Sequence, residues 1–166
     1  MAWAKILLVP RWPVRKNRLS SEDAMHDLKQ FPIVFSIAVQ WGDMDSFQHV
    51  NNVVFFRWCE TARVEYLERI GLTVKNGSHG VGPILARIEC NYRKPVTYPD
   101  TVHVGARVTR IGNSSFEMEH AIYTDRWGLV ADANSTLVVL DYDSGKTVSV
   151  PDAVRAAIGE LEKRKL

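Results

Sequence analysis

Cysteine is nearly missing from this chain: there are two in 166 residues, Cys59 and Cys90, and neither belongs to a Cys-x-x-Cys pair. Two thiols cannot build a disulfide framework. Cys59 falls in a helical pattern and Cys90 on the apolar side of a strand pattern, so both read as buried, reduced thiols rather than nucleophiles. A reducing cytoplasm is the expected location. Long hydrophobic runs are missing too, which excludes a membrane-spanning helix on sequence grounds. The stretch Ile6-Leu7-Leu8-Val9 is too short for a signal-peptide core, and Pro10 and Pro13 interrupt the residues after it. Charge of one sign is in short supply. A net charge of +2 with scattered Lys and Arg argues against a nucleic-acid partner and leaves room for an anionic small molecule. There is no Gly-x-Ser-x-Gly nucleophile elbow, which argues against a serine triad. The glycines around 77–82 lack both a Gly-Lys-Ser/Thr and a strand-turn-helix setting, so a mobile loop is a better reading than a phosphate cradle.

What is present suits one globular domain: 46% hydrophobic and 24% charged residues, with enough chain to bury a core. Residues 1–30 are expected to be an N-terminal extension, disordered in part or carrying a short helix at 20–30. Patterned structure begins only after Met25, a candidate start of the natural protein. Residues 31–166 form the domain. Ile33, Phe35, Ile37, Val39 and Trp41 alternate with less apolar neighbours, as in a strand with one apolar face. From Val53 to Ile70 the pattern is helical, apolar nearly all round at first, and Gly71 is placed to end it in a left-handed conformation. Four strands follow, near 84–93, 102–108, 116–122 and 129–141, and an amphipathic helix closes the chain at about 152–164. Short connections predict an antiparallel meander. One long apolar helix is buried only by lying across that sheet as the sheet curls round it, and a second subunit is expected over part of the other face. Glu60 and Arg63 are spaced to form a structural ion pair, and His120 reads as a satisfied core histidine.

Chemistry concentrates between the first strand and the long helix, in Gln40-Trp41-Gly42-Asp43-Met44-Asp45-Ser46-Phe47-Gln48-His49-Val50-Asn51-Asn52. A helix starting near Asn52 offers free backbone N–H groups and a positive dipole end, which stabilise a developing oxyanion. A carboxylate beside them can attack an electrophile or activate water. Each residue also has a plainer use. Asp45 can cap a turn, Asp43 can order the loop through backbone N–H groups, Asn51 can cap the helix, and His49 serves orientation or contact equally well. Asp43, Asp45 and His49 are also ordinary metal ligands, but Asp-x-Asp-x3-His alone is a weak signal and no metal is expected.

Trp41-Gly42-Asp43-Met44-Asp45, His49-Val50-Asn51-Asn52, Glu60-Thr61-Ala62-Arg63 and Tyr66-Leu67, at their separations, resemble the hotdog-fold acyl-CoA thioesterases. The narrower likeness is to the 4-hydroxybenzoyl-CoA thioesterase-like branch. The resemblance covers residues 32–142 in element order. It implies an α+β hotdog fold, a curved antiparallel sheet of about five strands wrapped round one long central helix. It implies sites at the interface of an obligate homodimer, or a dimer of such dimers. It implies Asp45 as the catalytic carboxylate and the Asn52 backbone N–H as the donor to the thioester carbonyl. Asp43, His49 and Asn51 then belong to substrate positioning. Coenzyme A enters only as part of the acyl-CoA substrate, with no separate cofactor. Arg87, Arg93, Lys94, Arg107 and Arg110 are candidate phosphate contacts, each better read singly as part of a solvated sheet face. Gln48 departs from the glycine common at that position, which bears on pocket size and backbone freedom. The competing class is a non-catalytic acyl-CoA or acyl-carrier binding protein on the same scaffold.

Overall fold

The computed structural model describes residues 28–73 and 79–164. Most of the helix expected at 20–30, the start at Met25 and the Asn76-Gly77-Ser78 part of the loop lie outside the described residues. In chain order come β1 (Ile33–Ala38), a 3-10 turn (Trp41–Asp43), helix α1 (Asn52–Arg69) and β2 (Val81–Tyr92). Then follow β3 (Thr101–Ile111), β4 (Ser115–Thr124), β5 (Gly128–Asp141), β6 (Lys146–Thr147) and helix α2 (Asp152–Glu162). The class is α+β, with two helices and one antiparallel sheet of six strands among the described residues, the last strand only two residues long. Trp41, expected at the end of the first strand, begins the 3-10 turn instead and is 73% exposed.

The sheet order is β1-β3-β4-β5-β2, with β6 paired to β5. Only β3, β4 and β5 follow the expected meander. β2 skips β3 and pairs with β5, setting Ile84 opposite Val138 and Cys90 opposite Ala133. The cause lies in residues 93–100, a segment too long for a tight hairpin, with its backbone groups committed elsewhere. Arg93 and Lys94 donate to the Val130 carbonyl, while the Val39 N–H donates to Asp100 and the Val50 N–H to Val96. The segment therefore crosses the end of the sheet and is tied to both ends of the loop that precedes α1.

Helix α1 packs on the inner face through Val54, Phe55, Trp58, Cys59, Ala62, Tyr66 and Leu67. Opposite lie the alternate residues of β3, Val102, Val104, Ala106 and Val108, all fully buried, because successive strand residues face opposite sides. Phe116, Met118 and Ile122 of β4 and Ala133, Leu137 and Val139 of β5 extend this core. Each large apolar side chain buried there contributes about 1.5–3 kcal/mol. Gly71 ends α1 at φ 70°, with its N–H on Glu68 O at 3.1 Å and Leu72 N–H on Leu67 O at 3.0 Å. This is the left-handed closure its position predicts.

Two polar expectations need correction. Glu60 and Arg63 form no ion pair: Glu60 is exposed, whereas Arg63 turns inward, is 6% exposed and leaves Nη1 without a partner. Residues three apart diverge by about 60° round the helix axis, enough to send one out and one in. His120 is fully buried but only half satisfied, with Nε2 3.1 Å from Ser135 Oγ and Nδ1 unpartnered. Of the two free thiols, Cys59 is buried and Cys90 only half-buried.

Burial, and then the charge of Arg63, push the His120 imidazole down from 6.5 to about 3. The folded protein keeps it neutral while the unfolded chain takes up a proton, so the unfolded state binds more protons across that interval. The stability is fully present above pH 6.5 and is lost as pH falls towards 3. Relative to His120→Gln, the wild type should lose about 1.4 kcal/mol of unfolding free energy per pH unit through this window. Urea unfolding of both proteins at stepped pH measures it, and parallel pH profiles would contradict it.

Candidate active site

The loop between β1 and α1 is held at three levels. At its base, Gln40 N–H donates to Asp43 Oδ2 at 2.9 Å and Asp43 N–H to Gln40 O at 3.0 Å. Arg57, one turn into α1, donates to Asp43 Oδ1 at 3.1 Å, and Asn51 N–H reaches Asp43 O at 2.9 Å. Asp43 thus joins the start of the loop to the helix. In the middle, Met44 and Val50 form an antiparallel bridge. At the tip, Asp45 N–H donates to His49 O and Gln48 N–H to Asp45 O, each at 2.9 Å. Asp45 Oδ1 accepts the Phe47 N–H at 2.8 Å, the turn-capping use open to any aspartate. Among the described residues no protein donor reaches Asp45 Oδ2. The turn occupies one carboxylate oxygen and leaves the other.

At the helix start, Asn51 is extended, at φ −61° and ψ 140°. Its Oδ1 accepts the Val53 N–H at 3.0 Å and its carbonyl accepts the Val54 N–H at 2.9 Å. Asn51 is therefore the helix cap its residue type predicts. The amide it leaves over is that of Asn52, the first helical N–H, which has no intrahelical acceptor. The Asn52 carbonyl accepts from the Tyr92 hydroxyl at 3.2 Å, and the Tyr92 ring meets Phe55 edge-on at 5.1 Å. Burial, with Cys90 beside it, raises the Tyr92 phenol and keeps it a donor.

Asp45, His49 and Asn52 line one cleft of about 370 Å³, whose other walls are Phe47, Val50, Phe55, Tyr92, Arg93, Lys94, Pro95 and Val96. Asp45 also borders a second cleft of about 550 Å³, with Trp41, Met44, Gln48, Thr97 and Tyr98. Asp43 and Asn51 line neither; they hold the loop and the helix. Periodicity carries no sign of the far wall. Phe55 belongs to the apolar start of the helical pattern and Tyr92 to a strand pattern, and neither pattern marks a pocket. The five cations that are candidates for phosphate contact all have protein partners. Arg87 pairs with Glu89, Arg93 with Asp132, Arg107 with Glu119 and Arg110 with Glu117, while Lys94 donates to Trp127 O. Of these, only Arg93 and Lys94 also reach the cleft. Among the described residues no three His, Cys, Asp or Glu groups are arranged to hold a metal.

A carboxylate oxygen and an unpaired amide at the positive end of an 18-residue helix thus share one cleft. That pairing suits a polarised carbonyl attacked from the carboxylate side. Fold and cleft define an α+β protein in which a carboxylate and a helix N-terminus line one cleft. Residues 39–158 match the model of the thioesterase-like superfamily. The chain belongs to that superfamily and is a thioester hydrolase with a hotdog-type fold. It is 26% identical over 128 residues to the long-chain acyl-CoA thioesterase FadM of Escherichia coli, covering 76% of this chain and 97% of that protein. A Thermus thermophilus thioesterase structure, complexed with coenzyme A and Zn, is 33% identical at a TM-score of 0.73. It covers 83% of this chain and 99% of its own. A Jannaschia thioesterase-superfamily structure, 23% identical, shares the fold at a TM-score of 0.74 over 92% of this chain and 98% of its own.

Gln48, the departure visible in the sequence, sits at φ 63°. This left-handed region costs a non-glycine residue about 1–2 kcal/mol, part of which glycine would return as chain entropy. Gln48→Gly should therefore raise unfolding free energy by about 0.5–1 kcal/mol. The urea midpoint measures this, and a lowered midpoint would show that the Gln48 side chain stabilises the turn.

Proposed function

We propose that this protein hydrolyses acyl-CoA thioesters to free acid and coenzyme A, with Asp45 as the catalytic carboxylate and the Asn52 backbone N–H as the carbonyl donor. The observation that carries the reading is the shared cleft, lined by both Asp45, with its free oxygen, and Asn52, with the one uncapped amide of α1. A thioester carbonyl whose oxygen accepts from Asn52 turns its carbon towards the Asp45 side. From Oδ2 the carboxylate either attacks that carbon or takes a proton from an attacking water. In the first route the C–S bond breaks, the coenzyme A thiolate leaves and water opens the resulting anhydride. In the second the C–S bond breaks and the thiolate leaves with that proton. Both routes use the same donor for the developing oxyanion, worth ~2.7–4 kcal/mol. His49 contacts the substrate from the same wall, while Asp43 and Asn51 position the loop and helix.

The mostly apolar walls, Phe47, Val50, Phe55, Pro95 and Val96, suit the acyl group, and Lys94 and Arg93 at the rim suit the anionic coenzyme A. Coenzyme A enters as part of the substrate. Kinship to the 4-hydroxybenzoyl-CoA thioesterase branch rests on the motif alone. A non-catalytic acyl-CoA binder would have no use for a carboxylate with a free oxygen at this place.

The working unit in this reading is a homodimer. β2 is a sheet edge that leaves Val81, Ile84, Leu85 and Tyr92 exposed, and such an edge is ordinarily covered or paired. A second copy laid along β2 would cover these side chains and close the open side of the cleft beside Tyr92. An acyl-CoA hydrolase with two reduced thiols belongs in the cytoplasm. No described helix is long and apolar enough to cross a membrane.

Asp45→Asn and Asp45→Ala should lower kcat against a panel of acyl-CoA substrates by at least about 10²-fold. The circular dichroism spectrum and the oligomeric mass should stay unchanged. Released thiol measures turnover, and wild-type rates in Asp45→Ala would remove Asp45 from the mechanism.

A further inference from the structure

The outer face of the sheet, where the sequence predicts a second subunit, is partly closed by the chain itself. Leu28 and Phe31, joined by a Phe31 N–H to Leu28 O bond of 2.9 Å, are 1% and 5% exposed. They form an apolar cluster with Ala121 and Tyr123, against which Leu129 packs. This cluster lies apart from the main core beneath α1.

The seat is made for them. A Cβ on Gly105 would lie 2.6 Å from Phe31 Cγ and 3.0 Å from Leu28 Cδ2, so only glycine lets both side chains sit down on β3. Arg107, two residues on, places its guanidinium 5.0 Å from the centre of the Phe31 ring and donates to Gln30 Oε1 at 2.9 Å. The same guanidinium is held from behind by Glu119. Residues 28–31 are therefore fastened by apolar burial, by a cation over a ring and by a side-chain hydrogen bond.

Without this segment the face would show an apolar strip, Gly105, Ala121, Tyr123 and Leu129. Mixed-sign pairs also stand on the outer face: Arg107 with Glu119, Arg110 with Glu117 and Arg93 with Asp132. Both signs side by side allow such a face to meet its own copy across a two-fold axis without like-charge repulsion. An apolar strip of that kind is where association starts.

We propose that residues 28–31 act as an intramolecular plug that keeps the outer sheet face from pairing with a second copy of this chain. With that face closed, assembly through the β2 edge stops at two chains. The figure of two rests on the β2 reading above; the plug itself does not.

The test compares the full-length wild type with Leu28→Ser/Phe31→Ser and with Gly105→Ala by sedimentation and light scattering. The double substitution removes the plug, and Gly105→Ala pushes an intact plug off its seat, so the second variant decides if the first fails to fold. The wild type should hold one mass over a wide concentration range. Both variants should shift to a discrete doubled mass, from two chains to four. A synthetic peptide of residues 26–33 should return the double variant to the wild-type mass. Hydrolysis per chain should stay unchanged, since these residues lie outside the cleft. Variants that keep the wild-type mass, or that form only polydisperse aggregates, overturn the plug. A wild-type monomer whose variants become dimers keeps the plug and overturns the β2 dimer.

Discussion

Asn51 caps helix α1 with two atoms at once. Its side chain takes the Val53 amide and its carbonyl takes the Val54 amide. A helix begins with several unpaired N–H groups, and a site that needs one aimed donor must dispose of the others. Here one residue does so and leaves Asn52. The Asn51 N–H is tied back to Asp43, whose side chain is gripped by Arg57 and by Gln40. The direction of the free amide and the height of the loop carrying Asp45 are therefore set by the same bonds. Disturbing one disturbs both, so the cap ties the packing of α1 to the chemistry in the cleft.

Much of the fold could be read from the residues because its signals were local. Val102, Val104, Ala106 and Val108 alternate, and they line the core. Gly71 stands where a helix needs a left-handed residue, and Asn51 where it needs a cap. The junction was legible for the same reason, since its carboxylate, cap and first amide lie within eight residues of one another. What failed depended on distant segments. The placement of β2 beside β5 is decided by residues 93–100, whose amides and carbonyls bind β5 and both ends of the junction loop, and no periodicity encodes that. Tyr92 and Val96 line the cleft because that crossing brings them under α1. Arg63 and Glu60 satisfied a spacing rule but fell on opposite sides of the boundary between core and solvent. The use of Gly105 became visible only with Phe31 against it.

The two faces of the sheet carry different duties. The inner face buries α1 and tolerates two poorly satisfied polar side chains, Arg63 and His120. The outer face carries ion pairs and an apolar strip that the chain covers with Leu28 and Phe31. The β2 edge is left open. β1 is the other edge of the sheet, but of the two only β2 borders the cleft, through Tyr92.

The proposed catalysis hangs on a single backbone amide, that of Asn52. Asn52→Pro deletes that N–H and little else. Proline is tolerated at the first helical position, and Asn51 already has the extended backbone that a following proline demands. The expected result is a folded protein whose kcat for acyl-CoA hydrolysis, measured by released thiol, falls about 10²–10³-fold. A folded Asn52→Pro enzyme with wild-type kcat would contradict the role given to that amide.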